Sequence, residues 1–258
     1  MINLFRFEMF RQRISFGIGT VILALLNIFL YFQLFHFNIS NDKMAQYGVL
    51  GVLLFFAVFI YLIVESVRIM SRDLLKNEGP FIFMTGHNGY KILGAKLLAV
   101  FAEGFSFFLL LGLGSYMYLS KLGVRMAVLP KELLVSSNNL TLFVISVITA
   151  LLVSWVLLVL TIYLSMAIYK SFLSQQSKGG LISFLIFLVL NFVIKQVIGI
   201  ITLKMGSFSI MSIFSTGNVN MVFEDAMRLV NYQNIVQIVF AIGLFIGVGA
   251  LLEKKLEL

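Results

Sequence analysis

Few groups in this chain could carry out covalent or metal chemistry. Its 258 residues include two histidines, His36 and His87, and no cysteine. The two histidines lie in separate parts of the chain, so they form neither an HExxH zinc site nor an intramembrane histidine pair. The missing thiols exclude disulfides, iron–sulfur clusters and cysteine nucleophiles. No GxSxG elbow occurs, and no Ser/His/Asp set has a place to assemble. The nearest approach to a phosphate loop is the run from Gly89 through Gly94 to Lys96. It lacks the Gly-Lys-Ser/Thr ending that contacts phosphate and magnesium. An intramembrane protease would have to rely on the acidic pair Glu224-Asp225 with Arg228, which has no histidine nearby. The expectation is therefore a non-enzymatic chain that binds no metal and no cofactor itself, with any driven work powered from another chain.

The remaining candidates are polar residues set within apolar runs. Glu103 lies about eleven residues into one such run, roughly 16 Å along a helix. A carboxylate at that depth is costly and needs a partner, a cavity, a subunit interface or a proton. Asn191 and Lys195 are four apart and would share a helix face, with Lys195 able to snorkel outward. Ser154, Thr161 and Ser165 fall within an arc of about 40° at 100° per residue. Glu103, Asn191 and Lys195 are the candidates for a translocation path. The Ser/Thr stripe fits helix–helix hydrogen bonding better. Gly243 and Gly247 form a small-xxx-small motif that permits close helix approach. Glu65 and Arg68 should pair locally near headgroup level, and Tyr31, Tyr61, Tyr116, Tyr118 and Tyr169 read as interface anchors.

The elements holding these residues follow from composition. The chain is 60% hydrophobic and 12% charged, where soluble proteins run at about 45–50% and about 25%. Such a chain cannot cover itself with polar groups, so its solvent is largely lipid. Six runs reach the roughly 20 residues needed to cross a bilayer. They extend over 15–37, 47–70, 92–119, 140–169, 181–203 and 235–252. The runs are continuous, without the alternation of membrane strands, so helices are expected. Pro80 and Pro130 both fall between spans, where a missing N–H costs least. The first run is too long for a signal-peptide core and has no small-residue cleavage site after it.

Residues 1–13 alternate Leu4, Phe5, Phe7, Met9 and Phe10 with Arg6, Glu8, Arg11 and Arg13, the pattern of a helix lying in the membrane interface. Residues 204–234 are unusually apolar for a loop and fit short re-entrant or interfacial helices. With the N-terminus inside, twelve Lys and Arg fall on the cytoplasmic side: Arg6, Arg11, Arg13, Arg68, Arg72, Lys76, Lys91, Lys96, Lys170, Lys178, Lys254 and Lys255. Six fall outside: Lys43, Lys121, Arg125, Lys131, Lys204 and Arg228. This bias puts both termini in the cytoplasm, and it accounts for most of the +8 net charge without any nucleic-acid partner.

The cytoplasmic segment 71–91 has the most distinctive pattern. Asp73 would cap a helical turn or two, Lys76 and Asn77 share its polar side, and Gly79-Pro80 stops it. An apolar patch with Phe81, Phe83 and Met84 follows, and then a polar turn opens the third span. This stretch resembles the membrane subunit of ABC transporters, specifically the six-span export permeases called type-2. The matching residues are Glu78-Gly79, Phe83-Met84-Thr85 and Ala95-Lys96-Leu97-Leu98, with Leu251-Leu252-Glu253-Lys254-Lys255 at the end. The chain departs from the family pattern at Gly86, Asn88-Gly89 and Ala95.

The resemblance implies a fold class and a division of labour. The fold would be all-α integral membrane: one transmembrane permease domain over 1–258 with six transmembrane helices. It would have an N-terminal interfacial helix, a cytoplasmic coupling helix and re-entrant outer helices before the last span. A separate ATPase subunit, in two copies, would bind ATP and Mg and dock on Asp73, Lys76, Glu78, Gly79, Phe81, Phe83, Met84 and Thr85. A second permease subunit, the same or homologous, would complete a dimer in a bacterial plasma membrane. The cargo would be amphipathic or lipophilic, such as a peptide, lipid or antibiotic. A non-catalytic accessory or sensor subunit is the alternative.

Overall fold

The computed structural model describes the backbone of residues 2–36, 41–74, 88–121, 137–172, 179–216 and 219–256, and most side chains within them. Six helices result: α1 (Ile2–His36), α2 (Asn41–Leu74), α3 (Gly89–Lys121), α4 (Ser137–Phe172), α5 (Gly179–Thr216) and α6 (Val219–Leu256). All six are long and apolar enough to cross a membrane, and no strand occurs among the described residues. The chain is thus an all-α, multi-pass membrane protein. In lipid each backbone N–H and C=O must be satisfied within its own segment, which is why uninterrupted apolar runs become uninterrupted helices.

Three local expectations turn out differently. Residues 2–13 are not set off from the first span, because α1 is continuous from Ile2 to His36. No proline interrupts it, and the buried Glu8 and Gln12 face inward instead of lying along an interface. The described backbone across 204–234 is likewise helical, as the end of α5 and the start of α6, and Gly206 does not break it. Asp73 belongs to the last turn of α2 and does not cap a new helix. Its side chain is buried, at 4% exposure. Lys76, Glu78, Gly79, Phe81, Phe83, Met84 and Thr85 lie outside the described residues.

The helices fall into two compact units, Met1–Ile69 with Lys91–Val128, and Met70–Tyr90 with Leu129–Leu258. In the first unit, Leu23, Leu30, Val58, Leu62, Ala99, Val100 and Phe107 are buried, while Ile14, Ile18, Ile22, Phe29 and Phe56 are exposed. Large apolar side chains on the outside are what a hydrocarbon solvent requires. In the second unit, Leu157 of α4, Ile194 and Ile198 of α5 and Val236 of α6 form a core, joined by Ile201, Phe240 and Leu244. The i, i+4 and i, i+3 spacings put each set on one helix face. The rest of α5 is turned outward, with Val189 63% and Phe192 65% exposed.

Candidate functional site: buried polar networks among the helices

The first unit holds two polar layers. In the first, the Lys96 ammonium of α3 donates to Glu8 Oε1 of α1 at 3.0 Å and to the Ile69 carbonyl of α2 at 3.4 Å. Lys96 and Glu8 side chains are 1% and 4% exposed, and Arg11 closes on the other Glu8 oxygen at 2.9 Å. Lys96 is a residue of the pattern that carried the family resemblance. Its charge is neutralised within the chain by an acid of the N-terminal helix.

The second layer centres on Ser15 of α1. Arg68 of α2 donates to the Ser15 hydroxyl at 2.9 Å and to Glu65 at 3.3 Å, and Ser15 donates to Glu65 at 3.2 Å. The Tyr61 hydroxyl lies 3.2 Å from Ser15 Oγ, and it donates to the Ser15 carbonyl at 3.2 Å and to Glu103 of α3 at 3.3 Å. The phenol has one proton and faces two acceptors, so it serves Ser15 or Glu103 but not both at once. The chain Glu65–Ser15–Tyr61–Glu103 therefore joins two buried carboxylates through groups that both donate and accept, as proton sharing requires. Phe107 packs edge-on against Tyr61 with ring centroids 5.2 Å apart and holds the phenol in place.

The two layers repeat at one spacing. Glu8 and Ser15 on α1 and Lys96 and Glu103 on α3 are each seven apart, so two helical turns, about 10 Å, separate the layers on these two helices, while α2 runs from the Ile69 carbonyl in the first layer back to Tyr61 in the second. Partners ascend together on α1 and α3 and descend on α2. α1 and α3 thus run parallel with α2 antiparallel, as successive membrane crossings demand.

A different ladder links α4 and α6 in the second unit. Ser146 donates to Asn231 at 3.0 Å, Asn234 to Thr149 and the Ser146 carbonyl at 3.3 Å each, and Ser154 to Gln237 at 3.0 Å. Within the Ser/Thr stripe only Ser154 bridges helices among these bonds. Thr161 and Ser165 bond back to the Leu158 and Ile162 carbonyls of their own helix.

Glycines fix a second meeting point in this unit. A Cβ on Gly89, at the start of α3, would stand 2.8 Å from the Glu253 nitrogen and the Gly249 carbonyl of α6. One on Gly249 would collide with the Tyr90 ring. A Cβ on Gly243 or Gly247 would meet nothing within 4 Å beyond its own helix backbone, so the small-xxx-small motif makes no close contact among the described residues.

The predicted site residues are divided between the units. Glu103 is buried at 1% exposure with Tyr61 as its partner. Asn191 and Lys195 are on α5 of the other unit, Lys195 exposed, and the side-chain amide oxygen of Asn191 is buried without a hydrogen bond among the described residues. Glu65 and Arg68 do pair locally. Two anchor assignments are corrected. Tyr61 is a hydrogen-bonding member of the second layer, and Tyr169 is buried against Gly179. Sequence reasoning missed Glu8, Ser15, Tyr61 and Lys96 as a connected site, although the seven-residue spacings of Glu8 with Ser15 and of Lys96 with Glu103 are visible, as is the i, i+3, i+6 spacing of Asn231, Asn234 and Gln237. Among the described residues no group of His, Asp and Glu could hold a metal ion. Compared with family models, curated proteins and solved structures, the chain matches none.

Proposed function

We propose that this chain is the membrane subunit of an ATP-driven exporter of the type-2 permease class, working with a separate ATPase and a second permease subunit. One observation carries the reading: the C-terminal part of the resembling stretch, where it opens α3, is tied to two other helices. Gly89 lies against the last turns of α6, beside the Leu251–Lys255 ending, and Lys96 is ion-paired to Glu8 of α1. A push delivered to the segment between α2 and α3 would therefore reach α6 and α1 directly. That is what a coupling element needs, because ATP binding shifts a conformational equilibrium only through contacts that differ between its states.

In this reading Lys76, Glu78, Phe81, Phe83 and Met84 contact the ATPase. Gly79 and Thr85 shape the segment, and Asp73, buried at its root, holds it to α2. Both termini face the cytoplasm, the start of α1 lies nearest the inner interface, and 204–234 lie on the outer side as the end of α5 and the start of α6. Glu103, Asn191 and Lys195 line the path of an amphipathic or lipophilic cargo. ATP and Mg are bound by the partner alone.

The test is co-purification with an ATPase carrying Walker motifs encoded in a neighbouring reading frame, followed by ATP turnover in vesicles. Glu78→Ala with Phe83→Ala should lower permease-stimulated turnover about tenfold, equivalent to losing roughly 1.4 kcal/mol of interaction. Gly243→Leu, at an open position, should leave turnover unchanged. If stimulation survives the paired substitution, or no such ATPase binds, the assignment fails.

A further inference from the structure

Between α1 and α2 of the first unit runs a groove of about 490 Å³ with a marked polarity along its length. At one end it is lined by Arg11 and Ser15 of α1 and by Tyr61 and Arg68 of α2. Ile18, Ile22 and Leu26 of α1 and Leu54 of α2 carry it on as a wholly apolar trough. Its floor is deep because Gly19 has no side chain, and a Cβ there would stand 2.9 Å from the Phe107 ring. From Arg11 to Leu26 the α1 wall covers sixteen residues, about 22 Å at the helical rise. That is more than half of the roughly 30 Å hydrocarbon core.

We infer that this groove holds one anionic phospholipid of the surrounding bilayer, its phosphate at Arg11 and Arg68 and one acyl chain along the trough. Three observations select this occupant. The only charged residues lining the groove are the two arginines. The acids beside them, Glu8 and Glu65, are 4% exposed and ion-paired to Arg11 and Arg68, so the carboxylates are withdrawn from the mouth and the guanidinium groups are its charged groups. A guanidinium matches phosphate oxygens in a way that an ammonium does not, and Arg68 is 51% exposed, placing that group where a headgroup can reach it. The trough walls, Ile18 at 57% and Ile22 at 52% exposure, already face the lipid phase, so a lipid enters sideways with its tail still in an apolar medium. The bound phosphate sits against Ser15 and Arg68, next to the hydrogen-bonded chain that leads to Glu103. The site does not depend on the exporter reading.

The intact chain is purified from mixed micelles of equal phosphatidylglycerol and phosphatidylcholine, and the lipid that stays bound is weighed by mass spectrometry. Phosphatidylglycerol should be enriched about fivefold over the bulk ratio, the effect expected of roughly one well-placed cation at a lipid surface. Arg68→Gln should return the ratio to that of the bulk, and Arg68→Lys should keep part of the enrichment. Ile18→Trp fills the trough at an exposed position where folding tolerates it. It should cut total bound lipid while leaving the arginines in place. Equal retention of the two lipids by the unmodified chain overturns the inference. So does enrichment that persists in both Arg68→Gln and Ile18→Trp, because the lipid would then be a general belt attracted by overall positive charge.

Discussion

Lys96 shows how one residue can be read correctly as part of a pattern and still be misjudged in its role. In the sequence it belongs to the motif opening the third span and counts towards the cytoplasmic positive charge. In the structure it is 1% exposed and held by Glu8 and the Ile69 carbonyl. A charge so far from solvent is tolerable only while its partner is present. Lys96→Met should therefore cost up to about 3 kcal/mol, because Glu8 loses its buried partner and keeps only Arg11, whereas the double variant Glu8→Leu with Lys96→Met should recover part of that loss. Half-lives of the folded state at elevated temperature in detergent would check this. A double variant no better than the single one would mean that the pair is not the seat of the effect. Tyr61 is a parallel case. Its position within α2 suggested a membrane-interface tyrosine, but Ser15 and Glu103 on two other helices make it an internal switch between acceptors.

At the scale of helices, existence and type were legible throughout. An apolar run of more than about 20 residues has one stable outcome in lipid, and all six predicted runs are helical. Boundaries were less legible at the polar ends. The turn from Glu8 to Arg11 reads as interfacial in isolation, and only Lys96 on α3 gives its acid a reason to face inward. The glycines divide in a similar way. Gly243 and Gly247 have the recognisable motif but open surroundings, while Gly249, with no motif, carries the tight contact with Tyr90. Gly249→Leu should therefore destabilise the chain by about 1–3 kcal/mol through overpacking, whereas Gly243→Leu should change stability by less than about 0.5 kcal/mol. Thermal inactivation of the two variants measured side by side distinguishes the sites, and equal losses would contradict the packing described for α6.

For the whole molecule, six crossings would put both termini on one side, and in the proposed topology the excess of Lys and Arg in the loops makes that side cytoplasmic. The absence of native cysteine makes this directly measurable. Single cysteines introduced at Ile2 and at Leu256 should both be protected from a membrane-impermeant thiol reagent in intact cells and should both react after lysis. Labelling of one terminus but not the other would require an odd number of spans. The number and type of the described helices were determined by the sequence alone, because chain length per apolar run and the cost of unpaired backbone in lipid leave few alternatives. Tertiary structure alone decided which polar residues meet. Glu8 with Lys96, Tyr61 with Glu103 and Asn234 with Thr149 are between 42 and 88 residues apart in the chain. Helical periodicity constrains which face a residue occupies, but the neighbour opposite that face is set by how the helices pack.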